Sequence, residues 1–361
     1  MKEGTGTLRP RVAPRVAIVL FNLGGPDREE AIGPFLLNLF RDPAILSVPW
    51  PVRPLLARRI ARARLGPARI SYAHLGGSSP LLGATERQAL LVAEALPEVE
   101  ARGFIAMRYW HPLTEEAVRA VVEWDPDEIV LLPLYPQFSA TTTGSSLRAW
   151  RDAAVAAGLA KETRTICCWC ADEAFVAALA SILRRALAEA GAAVAAGTAL
   201  RILFSAHGLP ERIVKQGDPY RMQVERTMAA VMAMLGRDAP PARLAFQSRA
   251  TPERWLEPAT DEEIRRAGAD GVALVVVPIA FVSEHSETLV ELDIDYRRLA
   301  EEAGVPGYFR VPTPGSDPLF IAALAGLVRQ ARERKAGISP LSGCGVCGPG
   351  HRKCPMEVRA A

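Results

Sequence analysis

The stretch LRILFSAHGLP, residues 200–210, is a short apolar run that ends in a glycine and a proline, and VAIVLFNLGGP at residues 16–26 has the same form. Two further pairs follow in the same order: FIAMRYWHP at 104–112 with LAFQSRATP at 244–252, and IVLLPLYPQFS at 129–139 with VALVVVPIAFVS at 272–283. Each member is typical of a buried strand that runs into a loop. The shared order predicts that the chain consists of two similar halves.

Helix-like stretches separate these strands, and such alternation predicts an α/β fold with mostly parallel strands. A chain of 361 residues is long enough for two domains. We therefore expect two similar doubly wound domains with a cleft between them. Residues 1–175 would form the first, residues 176–330 the second, and residues 331–361 a cysteine-containing tail.

The composition excludes several classes of protein. The formal net charge of +3 is too small to indicate nucleic-acid binding by itself. The longest strongly apolar stretch, residues 271–283, is too short to span a bilayer, which needs ~20 residues. Residues 1–15 contain no apolar signal core and are expected to be a disordered lead. We expect a cytoplasmic protein that is soluble or lies on the inner face of the membrane.

In doubly wound sheets, ligands bind in the crevice beyond the carboxyl ends of the strands. His207 directly follows a predicted strand and would lie there. Such a histidine can transfer protons near neutral pH and can bind a metal. A neutral histidine that only fills a turn is the alternative.

Four acidic residues follow another predicted strand, at spacings of three, four and four residues: Glu284, Glu287, Glu291 and Asp295. On a helix these spacings place the carboxylates along one face. A row of carboxylates entering a crevice could carry a divalent cation inward or protons outward, and oxygen ligands and imidazole both suit Fe²⁺. The alternative is a solvated acidic stripe.

A basic stretch occupies residues 53–69, within a segment that has no acidic residue between Asp42 and Glu86. Arginines alternate there with apolar residues, a pattern typical of peripheral contact with an anionic membrane. The same arginines could instead pair with carboxylates of a ligand, or form a solvated helix face.

The six cysteines fall into two groups: Cys167, Cys168 and Cys170, then Cys344, Cys347 and Cys354. Disulfides are not expected in the cytoplasm, where such groups more often bind metal. The three tail cysteines and one of the first group, for which we take Cys170, would hold a 2Fe–2S cluster or a structural zinc. Unconnected reduced thiols are the third option.

The sequence resembles the ferrochelatases from about residue 16 to residue 327. Six long motifs appear in the family's order: LFNLGGPD at 20–27, RYWHPLTEEA at 108–117, LYPQFSATTTGSS at 134–146, FSAHGLPERIVKQGDPY at 204–220, FQSRATPERWLEP at 246–258 and PIAFVSEHSETLVELDIDY at 278–296. The cysteines depart from the animal members, which have Cys-x2-Cys-x4-Cys and a fourth cysteine where this chain has Ala140. The resemblance leaves the fourth ligand open among Cys167, Cys168 and Cys170.

The resemblance implies two Rossmann-like domains with a porphyrin cleft between them. It implies that His207 and Glu287 form the central pair at the insertion site, with Glu284 and Glu291 beside them as metal-binding carboxylates. The residues that it places against the porphyrin are Tyr72, Ser79, Tyr109, Ser248 and Trp255. Arg108, a polar residue that follows a predicted strand, is a further candidate for substrate binding.

The function that these observations predict is insertion of Fe²⁺ into protoporphyrin IX, the last step of haem synthesis. Coproporphyrin III is the alternative substrate. The other hypotheses are a related chelatase for another metal, a non-catalytic porphyrin or haem carrier, and a metallohydrolase. No His-Glu-x-x-His motif supports the hydrolase. The sequence leaves the oligomeric state open, with a homodimer included.

Overall fold

The computed structural model describes residues 13–249, 253–340, 347–348 and 350–356. Its strands are β1 (Arg15–Asn22), β2 (Glu100–Met107), β3 (Glu128–Pro133), β4 (Glu162–Ile166), β5 (Leu200–His207), β6 (Ala242–Gln247), β7 (Ala273–Pro278), β8 (Tyr308–Arg310) and β9 (Gly337–Ser339). Its α-helices are α1 (Ile32–Arg41), α2 (Arg53–Ala73), α3 (Leu81–Glu94), α4 (Thr114–Trp124), α5 (Thr143–Ala156), α6 (Glu173–Ala193), α7 (Glu211–Lys215), α8 (Tyr220–Leu235), α9 (Thr260–Asp270), α10 (Tyr296–Glu302) and α11 (Pro318–Arg332). A short 3₁₀ helix (Glu29–Ala31) precedes α1, and a π-helix (Glu287–Asp295) precedes α10.

Two parallel sheets form the frame of the molecule. Their strand orders are β2-β1-β3-β4-β9 and β6-β5-β7-β8, so the first four strands of each sheet have equivalent places. The three motif pairs of the sequence coincide with β1 and β5, β2 and β6, and β3 and β7. The structure thus confirms two similar doubly wound halves. The central strands are apolar because helices cover both of their faces; all six residues of β7 are buried.

One hydrophobic core joins the two halves. It contains Ile18 of β1 and Val130 of β3 from the first sheet, together with Phe204 of β5 and Val277 of β7 from the second. Helices α6 and α11 pack against each other and contribute to the same core. The two halves are therefore held together by a continuous apolar interior.

The C-terminal part of the chain returns to the first half. Helix α11 packs against α3, β3 and β4, and β9 then pairs in parallel with β4, with Gly337 opposite Arg164. A strand of the segment predicted to be a tail, residues 331–361, is thus part of the first sheet. Helix α11, which ends at Arg332, crosses the predicted boundary between the second domain and the tail, and β9 lies within the predicted tail.

The crevice follows from the order of the strands. In each sheet the connections that follow the two central strands run toward opposite edges of the sheet. This divergence opens a gap at the carboxyl ends of the central strands. His207 is the last residue of β5, and Glu287 lies on the helix that follows β7. Because β5 and β7 are neighbours, the fold brings these two residues to one point.

Candidate active site

A cleft of about 670 Å³ opens between the two halves, a volume within the range of small-molecule sites. Most of the residues predicted for the site line it: Tyr72, Ser79, His207, Ser248, Trp255, Glu287 and Glu291. The first half contributes Tyr72 from α2 and Ser79 from the loop before α3, and the second half contributes the rest. The cleft is therefore a shared surface of both halves.

His207 and Glu287 form a direct pair in this cleft. Nδ1 of His207 lies 3.0 Å from Oε2 of Glu287, and Nε2 of His285 lies 3.5 Å from the same oxygen. The backbone carbonyl of His207 accepts a hydrogen bond of 3.0 Å from the hydroxyl of Tyr220. His207 is thus held at its backbone by Tyr220 and at its imidazole ring by Glu287.

The charges of this pair support each other. Burial lowers the pKa of His207, but the carboxylate of Glu287 and the more distant Glu291 outweigh burial and raise this pKa above its ordinary value. Burial acts on Glu287 in the opposite sense, yet His207 and His285 hold its pKa far below the usual range. Glu287 is therefore a stable counter-ion for a protonated imidazole.

Glu291 differs from Glu287 in the direction in which its pKa is shifted. Burial, and then the charge of Glu287, raise the pKa of Glu291 above its ordinary value. Its side chain accepts hydrogen bonds from Nε2 of Gln247 at 3.1 Å and from the hydroxyl of Tyr296 at 3.2 Å, and also from Ser248. Two neighbouring carboxylates with pKa values shifted in opposite directions can divide the roles of counter-ion and proton carrier.

The acidic row is only partly as predicted. Glu287, Glu291 and Asp295 line the cleft, but Glu284 does not. Oε1 of Glu284 accepts hydrogen bonds from Arg310 at 2.6 Å and from the backbone N–H of Thr313 at 2.9 Å. Arg310 thus holds Glu284 apart from the carboxylates that line the cleft, and a metal-binding role for Glu284 stays a prediction.

Arg108 and Tyr109, which were predicted to lie against the porphyrin, are outside the set of residues that line the cleft. Tyr109 is fully buried, and its hydroxyl donates a hydrogen bond of 2.8 Å to Asp42. Arg108 makes an ion pair of 2.9 Å with the same carboxylate and donates to Ser145 at 2.7 Å. The buried charge of Asp42 draws both side chains away from the cleft, and neither of them lines it.

Other residues of the cleft had not been assigned from the sequence. Arg64 of α2 and Arg249 after β6 line the cleft and bring positive charge to it. The quoted motifs also contain Gln247 and Tyr296, which hold Glu291, and Tyr220, which holds His207. These three residues could be seen in the sequence, but nothing there indicated what they do. Tyr72 is among the predicted residues; burial raises its pKa to about 12, so its hydroxyl keeps its proton.

The lip of the cleft exposes apolar side chains. Helix α2 contains the basic stretch 53–69, and Ile60, Arg64 and Ala68 of this helix line the cleft. Beside them, Trp50 is 76% exposed, Leu55 68% and Ile70 67%. Within the described residues, no helix has the length and apolar character that crossing a bilayer requires.

The described cysteines lie near one another, beyond the carboxyl end of β4. Cys354 is hydrogen-bonded to Cys167 and to Cys347, and all three are buried. Cys170 is buried nearby, and its carbonyl accepts a hydrogen bond of 2.7 Å from Thr227. Cys344 lies outside the described residues. Among the residues that are described, no three or more His, Cys, Asp or Glu side chains form a group that could hold a metal ion.

A sequence model of the family described as "Ferrochelatase" matches residues 15–332. A ferrochelatase of Caulobacter vibrioides is 49% identical over 355 residues, which cover 96% of this chain and 99% of that protein. A ferrochelatase of Phenylobacterium zucineum is 49% identical over 344 residues, which cover 94% and 97%.

Among solved structures, SirB from Bacillus subtilis with Fe³⁺ has a TM-score of 0.50 and 13% identity, and the match covers 88% of this chain and 95% of SirB. That likeness concerns the fold, which is of the chelatase type. The cleft with its His207–Glu287 pair agrees with the family match. The chain belongs to the ferrochelatase family and is a metal chelatase of the lyase class.

Proposed function

We propose that this enzyme inserts Fe²⁺ into protoporphyrin IX, releases two protons and so completes the synthesis of protohaem. The observation that carries the proposal is the 3.0 Å contact between His207 and Glu287 in a cleft shared by both halves. Fe²⁺ and the porphyrin are the substrates. What the chain supplies is a proton acceptor and a binding surface for the ring.

His207 is the proposed acceptor of the pyrrole protons. Its Nδ1 donates to Glu287, which leaves Nε2 as the free lone pair of the neutral ring. When Nε2 takes a proton from a pyrrole N–H, the imidazolium that forms lies beside the carboxylate of Glu287. The same carboxylate raises the pKa of His207 and so favours this transfer.

Glu291 and Asp295 are the proposed route by which protons leave. Both line the cleft, four residues apart on the π-helix. Because burial and the charge of Glu287 raise the pKa of Glu291, this carboxyl group takes up a proton more readily than an ordinary glutamate does. Asp295, whose side chain is 53% exposed, would pass the proton to solvent.

The porphyrin is proposed to lie between Tyr72 and Ser79 on one side and Ser248 and Trp255 on the other. The indole of Trp255 offers an apolar surface to the ring. Hydroxyl groups and the guanidinium groups of Arg64 and Arg249 suit the propionate carboxylates.

The experiment that tests this function mixes purified enzyme with Fe²⁺ and either protoporphyrin IX or coproporphyrin III, without oxygen. We expect the fluorescence of free protoporphyrin to disappear at a catalytic rate. Faster loss with coproporphyrin III would assign the alternative substrate. Tight binding of either porphyrin with no loss of fluorescence beyond one equivalent would indicate a carrier.

We further propose that Cys344, Cys347, Cys354 and Cys167 hold a 2Fe–2S cluster. Four thiolates are the ligand set of such clusters, and the contacts of Cys354 with both Cys167 and Cys347 support their convergence. On the contact with Cys354 we propose Cys167 as the fourth ligand, where the sequence had suggested Cys170. A bound cluster would supply a covalent link between the C-terminal segment and the first half.

The cluster is tested by the absorption spectrum of freshly purified protein. We expect visible bands in the wild type and their loss in Cys354→Ser and Cys167→Ser, while Cys170→Ser keeps them. A colourless wild type that contains one zinc per chain would establish the structural-zinc alternative. Loss of the bands in Cys170→Ser alone would restore Cys170 as the fourth ligand.

The exposed apolar residues of the lip are proposed to contact a membrane surface. Trp50, Leu55 and Ile70 lie beside the arginines of α2, and an apolar group flanked by cations suits an anionic interface. Sedimentation with vesicles of an anionic phospholipid should carry the wild type down, and Trp50→Ser/Leu55→Ser should reduce this binding several-fold. Equal binding of both proteins would contradict the proposal.

A further inference from the structure

Arg310, the last residue of β8, makes an ion-paired cluster beneath the π-helix. Its Nε and Nη2 donate to the two oxygens of Asp293 at 2.9 and 2.6 Å, and its Nη1 donates to Oε1 of Glu284 at 2.6 Å. The arginine side chain is only 11% exposed. One guanidinium group therefore holds two carboxylates, one of them in a two-pronged contact that only arginine can make.

The two carboxylates lie on either side of the catalytic acids in the chain. Glu284 comes three residues before Glu287, and Asp293 comes two residues after Glu291. A rotation or a shift of the π-helix would turn Glu287 away from His207, and such a movement must break one of the contacts of Arg310. The guanidinium group thus fixes the helix from both ends of the segment that faces the cleft.

A π-helix needs such support, because this backbone form is rare and usually short. Strand β8 adds a second attachment, since the hydroxyl of Tyr308 donates 2.7 Å to the carbonyl of Leu292. Arg310 also neutralises two acids whose charges would otherwise lie uncompensated behind the cleft. The carboxylates that remain open to the cleft on this helix are Glu287, Glu291 and Asp295.

We infer that Arg310 is a positioning residue for metal insertion, which sets the orientation of Glu287 and Glu291 by holding Glu284 and Asp293 away from the cleft. The inference rests on the proposed function and names a further residue that this function needs. Arg310 contacts neither His207 nor the cleft, so it acts through the π-helix.

The test compares Arg310→Met and Arg310→Lys with Arg201→Met. Arg201 of β5 is a matched control, because its side chain is 15% exposed and makes an ion pair of 2.8 Å with Asp270 at the end of the strand opposite to the cleft. Misplacement of a reacting group by ~1 Å can cost about 100-fold in rate. We expect kcat of Arg310→Met to fall by about 10- to 100-fold with KM for the porphyrin within about twofold of wild type.

Arg310→Lys keeps the charge but loses the two-pronged contact, and we expect it to keep most of the thermal stability while kcat remains low. Arg201→Met should lose stability without this loss of kcat. A fall of kcat in Arg201→Met equal to that in Arg310→Met, or full kcat in Arg310→Lys, would overturn the inference.

A second readout separates this inference from the proposed function. The chain has five histidines, so the imidazole signals of His207 can be identified in NMR spectra by comparison with a His207 variant. We expect these signals to shift in Arg310→Met and to stay in place in Arg201→Met. Unchanged His207 signals in Arg310→Met would reject the positioning role of Arg310. A wild type that cannot insert iron would reject only the proposed function.

Discussion

His207→Ala should slow iron insertion severely while porphyrin binding stays within a few-fold of wild type. The imidazole is the proposed acceptor of the pyrrole protons, and its Nδ1 lies 3.0 Å from Glu287. Proton transfer by a positioned side chain typically contributes about 10²- to 10⁴-fold, so we expect kcat to fall by at least about 10²-fold. Binding is measured by porphyrin fluorescence titration, and insertion by the loss of that fluorescence when Fe²⁺ is added.

The chain offers a matched control for this variant. His111 forms a similar pair with Glu116, at 2.8 Å, but on an exposed surface outside the cleft. His111→Ala should therefore leave kcat unchanged. Wild-type kcat in His207→Ala would reject its role as proton acceptor, and a parallel loss of porphyrin binding would assign it to substrate binding instead.

The fold could be predicted from the sequence because its signal repeats. Three strand-to-loop motifs occur twice in one order, and the structure gives β1, β2 and β3 the same places in their sheet as β5, β6 and β7. Strands β4, β8 and β9 were not predicted. They contain only five, three and three residues, and two of them lie at sheet edges, where the apolar signal of a buried strand is weak.

The location of site residues could be predicted where it follows from their position along one strand or helix. His207 ends a strand, and the four-residue spacing of Glu287, Glu291 and Asp295 keeps them on one face even though the helix is a π-helix. Glu284 has the same charge and nearly the same spacing, but its direction is set by Arg310, 26 residues further along the chain. No local pattern contains that contact.

Arg108 and Tyr109 show the same limit. Both lie in a motif at the end of β2, where a cleft residue is expected, yet the buried carboxylate of Asp42 turns both away. The partner lies more than 60 residues earlier in the chain and has no motif of its own. Sequence order therefore predicts which loops meet at the cleft, while buried ion pairs decide which side chains of those loops enter it.

Glu287→Gln should lower kcat by about 10²-fold or more, because it removes the charge that stabilises a protonated His207. Glutamine has nearly the same volume as glutamate, so the cleft and porphyrin binding should be preserved. The environment of His207 determines the direction in which its pKa changes. Glu287 raises the pKa of His207 and burial lowers it, so without the carboxylate this pKa should fall below its wild-type value.

The histidine titration, followed by NMR, measures that fall directly, and the insertion assay measures the loss of kcat. Glu301→Gln, at an exposed position of α10, is the control and should change neither quantity. If the pKa of His207 stayed in place while kcat fell, Glu287 would act on the metal or the ring and not through the imidazole. If neither moved, the contact of Glu287 with the imidazole would be structural, and His207 would accept the proton without its help.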